Sequence, residues 1–288
     1  MSAAELTAWI SNLIADQVAN SPENSLRNQA GEKAFTEVLV GFAAGDDPLF
    51  AEYKRHIGEF FWRPEEAFAL AYPGDPAPAG ELSVISWILP QPAYTRAENA
   101  AENIYCSERW ARCRLYGEQF NAWLRGEVVR SLGEAGHPAL APMLLPQWRM
   151  QESVDYSYAS TWSERHAAYA AGLGTFGLCD GLITAKGKAM RTGSVIVRAR
   201  LTPSRRPYTG IHDYCLFYSQ GTCGKCIPRC PMNALSDQGH DKIKCSRHTR
   251  GSGKEHNQEQ FGLSIEGCGL CQVGVPCEDH IPAPAEGL

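Results

Sequence analysis

Eight of the chain's eleven cysteines fall between residues 215 and 277 of 288, in a stretch rich in glycine and proline and poor in periodic apolar residues. Such a segment cannot bury enough apolar surface to hold itself together, so another force must organise it, and eight thiols are the available means. The remaining three are Cys106, Cys113 and Cys179. The N-terminus MSAAELTAWISNLIADQ carries acids where an export signal carries a basic region. No apolar run approaches the roughly 20 residues that cross a bilayer. These features lead us to expect a soluble cytoplasmic protein without a membrane partner, whose thiols stay reduced and do not form disulfides.

The first group runs Cys215, seven residues, Cys223, two residues, Cys226, three residues, Cys230, then Pro231. The second runs Cys245, 22 residues, Cys268, two residues, Cys271, five residues, Cys277. Cys223, Cys226, Cys230 and Pro231 have the C-x2-C-x3-C-P spacing of a bacterial two-cluster ferredoxin, in which the final cysteine crosses to the other cluster. A ferredoxin places its first cysteine where this chain has Gln220, so Cys215 takes that role across a longer loop. By the crossing rule one [4Fe–4S] cluster takes Cys215, Cys223, Cys226 and Cys277. The other takes Cys245, Cys268, Cys271 and Cys230. A pair of four-cysteine zinc sites is the alternative, but zinc gains nothing from sequestering the cysteine before Pro231 in the second site. Soft thiolates suit an iron–sulfur cube, whose added electron spreads over several irons, and electron transfer is the chemistry that follows.

Elsewhere the chain reads as an ordinary globular protein, 44 % hydrophobic and 20 % charged. Its formal charge of −5 gives no global footprint for nucleic acid. TAWISNLIADQVA places Trp9, Leu13, Ile14 and Val18 near helical spacing, and EKAFTEVLVGFAA does so with Phe35, Leu39 and Phe42, which predicts two N-terminal helices. The segment YPGDPAPAG, Tyr72 to Gly80, is a linker. LSVISWIL, ended by Pro90, predicts a strand buried on both faces. One long helix is expected from Arg96 to about Gly133, with Cys106 and Cys113 on roughly one face of it. SERHAAYAA predicts a further helix and GSVIVRA a further strand. The expected fold class is α+β. The expected divisions are an N-terminal helical extension over 1–75, an α/β cofactor and substrate domain over 76–205 and a ferredoxin-like domain over 206–288.

The glycines of GLGTFG, Gly172, Gly174 and Gly177, satisfy G-x-G-x-x-G, but a dinucleotide fingerprint needs a strand before and a helix after. Here a helix precedes and loop and strand follow. The glycines read instead as a tight loop with close backbone approach, to neighbouring chain or to a bound cofactor. Cys106, Cys113 and Cys179 read as buried small apolar residues. The loop SRHTRGSGKEHNQEQ, with His248 and His256, reads as solvated. No Asp-x-His-x-x-Gly is present to give cobalt a histidine.

From about Leu82 to Pro282 the chain resembles the epoxyqueuosine reductase family, itself similar to the reductive dehalogenases. The resemblance rests, in order, on GELSVISWILP, ARCRLYGEQFNAWLRGEVVRSLGEAG, SVDYSYASTWSERHAAYAAGLGTFGLCDGLIT, the Gly193–Ser194 pair and the two cysteine groups. It implies a nitroreductase-like domain holding base-off cobalamin beside the nearer cluster, with Gly172, Gly174, Gly177, Gly193 and Ser194 in the cofactor site. It also implies an aspartate proton donor, Asp155, and an external low-potential donor such as ferredoxin or flavodoxin. A flavin, FMN, in the same domain is an alternative, as is an electron-transfer role without catalysis. The family's tyrosine and aspartate appear here as Trp110 and Leu115, and its lysine and asparagine as Leu178 or Cys179 and Asp180. The family's tRNA-modifying members carry helical repeats after the ferredoxin module, and this chain ends eleven residues past Cys277. A small or nucleoside-like substrate is therefore expected in place of tRNA.

Overall fold

The computed structural model describes residues 1–154 and 156–283. Helix α1 (Ala3–Asn20) starts at a capping box, in which Ser2 Oγ accepts from the Glu5 N–H and Glu5 Oε2 accepts from the Ser2 N–H. Its buried face carries Leu6, Ile10, Ile14 and Val18. The second helix expected over EKAFTEVLVGFAA is instead a strand, β1 (Leu39–Ala44). So short an apolar run fits either period, and pairing along a neighbouring strand decides between them. Helices α2 (Pro48–Ile57) and α3 (Pro64–Ala71) lead to strand β2 (Ser83–Pro90), all eight residues of which are buried.

The long helix expected after β2 is broken into α4 (Ala93–Ala101), α5 (Glu108–Arg112), a π turn over Cys113–Gly117, and α6 (Glu118–Glu134). No proline is needed for the break. Asn99 Oδ1 accepts from the Ser107 N–H at 2.9 Å, and the Ser107 hydroxyl accepts from the Trp110 N–H, so local side chains end one helix and start the next. Cys106 lies in the connection and shares no helical face with Cys113.

Strands β3 (Ala139–Leu140), β4 (Met150–Ser153) and β5 (Ser157–Ser160) precede helix α7 (Glu164–Ala170), followed by β6 (Gly174–Phe176), β7 (Leu182–Thr184) and β8 (Met190–Val197). The main sheet runs β1-β2-β8-β3, antiparallel throughout. Its two faces bury different helices. Val84, Ile88 and Ile196 pack with Phe50, Phe68, Trp162 and Ala168 from the side of α2, α3 and α7. Ile85, Trp87, Leu89, Val195 and Val197 pack with Ile10 and Ile14 of α1 and with Phe120, Leu124 and Val128 of α6. The fold is thus mixed α/β, with an antiparallel sheet between two helical layers, and the N-terminal segment supplies both a strand and a covering helix.

The cysteine-rich part contains α8 (Leu216–Gln220), β9 (Leu235–Ser236), β10 (Gly239–His240), α9 (Lys242–Arg250) and α10 (Ser252–Phe261). The stretch expected to be a solvated loop is therefore helical. Asp241 caps α9 by accepting from the Lys244 N–H at 2.9 Å. His248 is buried and stacks on Tyr105, which also stacks on His256. No helix among the described residues is long and apolar enough to cross a membrane.

Ile85, fully buried at the centre of the sheet, sets a clear expectation. Ile85→Ala should cost about 2–5 kcal/mol in denaturant unfolding, whereas Ile243→Ala, on the exposed side of α9, should stay within about 0.5 kcal/mol.

Candidate functional site

The eight clustered cysteines line two separate cavities. Cys215, Cys223, Cys226 and Cys277 line one, with Gly177 and Lys188 in its wall. Cys230, Cys245, Cys268 and Cys271 line the other, a hollow of about 300 Å³, and Cys179 stands with them. Cys230 and Cys277 are thus each found among the cysteines of the other sequence group. The Ala234 N–H donates to Cys230 Sγ at 3.2 Å, the kind of backbone contact that supports a sulfur carrying negative charge. Burial pushes the Cys226 thiol up to about 12 and the Cys268 thiol up to about 11. Among the described residues no three His, Cys, Asp or Glu side chains are grouped to hold a single metal ion. The sulfurs line walls rather than converge.

A further cavity of about 400 Å³ adjoins the second cysteine hollow and shares Arg114, Arg165, Met190, Arg191 and Gln272 with it. Its floor is a buried charge network. Arg125 donates from Nε to Glu164 at 3.1 Å, from Nη1 to Glu118 at 3.0 Å and from Nη2 to the Thr192 carbonyl at 3.1 Å. Two carboxylates share this arginine, and their environments push them apart. Burial, with Arg125 pulling the other way, raises Glu164 to about 7. Burial acts on Glu118 too, but Arg125 and Arg191 outweigh it and hold that carboxyl below the usual range. Glu164 Oε2 and Arg191 Nε are buried without a hydrogen-bond partner, an acceptor and a donor beside one cavity. Burial and the nearby Arg114 lower Arg191 to about 10. The π turn between α5 and α6 sets Arg114 in the wall of both hollows, and register does the same for Arg191, opposite Leu89 at the start of β8.

The two histidines of the hollow are held differently. His248 is held by the Ile104 carbonyl at 2.9 Å and Ser252 Oγ at 3.1 Å, and His240 Nδ1 lies 2.9 Å from Asp180 Oδ2.

The glycine loop lies elsewhere. A side chain at Gly174 would meet the Ile183 carbonyl at 2.2 Å, at Gly172 the Arg205 carbonyl at 2.6 Å, and at Gly193 the Trp87 ring at 2.4 Å, so neighbouring chain fills the space at all three. Ser194 Oγ accepts from Trp162 Nε1 at 2.9 Å. Of these five residues only Gly177 lines a described cavity. Cys106, Cys113 and Cys179 are buried as expected, although Cys179 faces the cysteine hollow. Trp110 lines that hollow too. Asp155 lies outside the described residues. Sequence reasoning missed Arg125, Glu164, Lys188 and Arg191. Glu164 after Ser163 reads only as a helix start, and the three cations carry no motif.

No protein-family model matches the sequence. A search of curated proteins finds an epoxyqueuosine reductase of Bacillus anthracis, 28 % identical over 204 residues, covering 69 % of this chain and 48 % of the relative. This chain is similar to epoxyqueuosine reductase. It spans about half the length of that relative. A solved catabolic reductive dehalogenase, NpRdhA, in complex with 3-bromo-4-hydroxybenzoic acid aligns over 98 % of this chain and 38 % of its own length, at 16 % identity and a TM-score of 0.50. An epoxyqueuosine reductase from Streptococcus thermophilus aligns over 95 % of this chain and 66 % of its own length, at 16 % identity and a TM-score of 0.46. The likeness to NpRdhA is one of fold.

The elevated Glu164 predicts a pH signature. The folded state holds this proton between the ordinary carboxyl value of 4.5 and about 7, so Glu164 lowers stability as pH rises through that window. The stability difference between Glu164→Gln and wild type in thermal unfolding should therefore move in the variant's favour between about pH 5 and pH 8, whatever loss the missing Arg125 partner imposes at both.

Proposed function

We propose that this chain is an iron–sulfur reductase of the epoxyqueuosine reductase type, with two [4Fe–4S] clusters, one held by Cys215, Cys223, Cys226 and Cys277 and the other by Cys230, Cys245, Cys268 and Cys271. The observation that carries the reading is the grouping of these eight sulfurs around two cavities, four to each, with Cys230 and Cys277 exchanged between the sequence groups. All-sulfur donor sets suit iron–sulfur cubes, and a sulfur-lined wall suits a cube better than a single ion. When bound, the clusters supply one-electron transfer from an external low-potential donor such as ferredoxin or flavodoxin.

The hollow between the second cysteine set and the Arg125 network is where the electron is used. In this reading it holds base-off cobalamin with a small or nucleoside-like substrate. Of the two imidazoles in the wall, His248 is engaged through both ring nitrogens and His240 Nδ1 is held by Asp180. Arg114 and Arg191 supply positive charge along the hollow, and Arg191 Nε has a donor to offer. By resemblance, Asp155 gives the proton. The curated relative's name supports a reductase, and the short coverage of that relative makes the substrate a proposal of this chain's own.

Anaerobic reconstitution with iron, sulfide and cobalamin tests the reading. About eight irons per chain are expected, falling by about four in Cys226→Ser and by about four in Cys268→Ser. Tight zinc with no iron–sulfur absorption would overturn it. Cobalt retained with a base-off paramagnetic signal supports the reductase, and eight irons without cobalt would make the chain an electron-transfer protein.

A further inference from the structure

Lys188 is only 3 % exposed, and a fully buried lysine is rare unless an anion accompanies it. Among the described residues no carboxylate pairs with it. Its backbone N–H donates to the carbonyls of Cys277 and Glu278 at 3.0 and 3.1 Å, which pins it against the first cysteine set, whose cavity it lines. Its ammonium donates to Cys179 Sγ at 3.5 Å, and Cys179 in turn lines the second set's cavity with Cys271. The lysine therefore bridges the two groups of sulfurs, and it also lines the cavity beside the Arg125 network.

We propose that Lys188 is the common counter-charge of both sulfur-held clusters, a fixed ammonium that favours an added electron on either one and keeps their potentials within reach of the donor. The inference rests on the two-cluster reading above. A cube bound by four thiolates becomes more negative when reduced, so a buried cation nearby stabilises the reduced form more than the oxidised form, and the low local dielectric carries that effect to both cavities. Lys188 makes no bond to iron in this role. It acts through charge, as a positioning residue rather than a catalytic one.

The test is a redox titration of the reconstituted full chain with dithionite as the one-electron reductant, followed by paramagnetic resonance, with iron and sulfide counted in the same samples. Lys188→Met keeps the length and removes the charge, and Lys188→Gln keeps a polar head should Met impair folding. The expected result is a full iron count with both midpoint potentials shifted negative in the neutral variants, and much of the shift recovered in Lys188→Arg. A full iron count with both potentials unchanged would overturn the proposal and leave Lys188 as the partner of Cys179 alone. A shift confined to one cluster would overturn its common role. Loss of iron from both neutral variants would make it an assembly residue and also overturn it. Wild-type protein that takes up no iron would instead fail the two-cluster reading itself, so the two failures are told apart by the iron count.

Discussion

Strand β2 is buried on both faces, and the geometry of the hollow is hung on it. Its alternate side chains enter two different cores, Val84 and Ile88 on one side and Ile85, Trp87 and Leu89 on the other, so a one-residue slip would exchange every contact. That locks the register with β8 from Ser83 opposite Val197 to Pro90 opposite Met190. Locked register is what fixes Arg191 and Thr192, whose side chain and carbonyl meet the Glu118–Arg125–Glu164 network. The same constraint anchors Lys188, two residues before β8 begins.

The charge network is a poor source of net stability and a good source of specificity. The attraction between a buried arginine and two carboxylates roughly offsets their desolvation, but removing either kind of partner leaves an uncompensated charge in the interior. The network holds the Glu118 carboxyl below the usual range while burial raises its neighbour Glu164 beside one cavity.

The cysteine-rich third is organised on a different basis. Its buried apolar residues form two small groups, one of them built partly of cysteines themselves, and its β-structure amounts to two pairs of residues. Short helices capped by Asp241 and broken at Gly251 carry the chain between sulfurs. So small an apolar content explains why periodicity failed there, and in the two-cluster proposal the thiols supply the missing organisation. The sequence SRHTRGSGKEHNQEQ lacks an apolar stripe, yet it is helical because capping and the packing of His248 replace one.

Local signals settled what local physics controls. β2 and β8 were legible from their apolar β-branched runs, α7 from its helical stretch, and the eight thiols from their spacing and from the lack of any other means to organise Gly/Pro-rich chain. The break between α4 and α5 escaped notice because Asn99 and Ser107 make it by side-chain hydrogen bonds that leave no proline or glycine behind. β1 escaped because pairing with β2, not its own pattern, makes it a strand. Only the tertiary structure brought Arg125, Glu164 and Thr192 together and set Lys188 between the two groups of sulfurs. Such juxtapositions depend on sheet register and on how helices cross it, which are properties of packing between distant segments, and a single charged residue carries no trace of them in its neighbours along the chain.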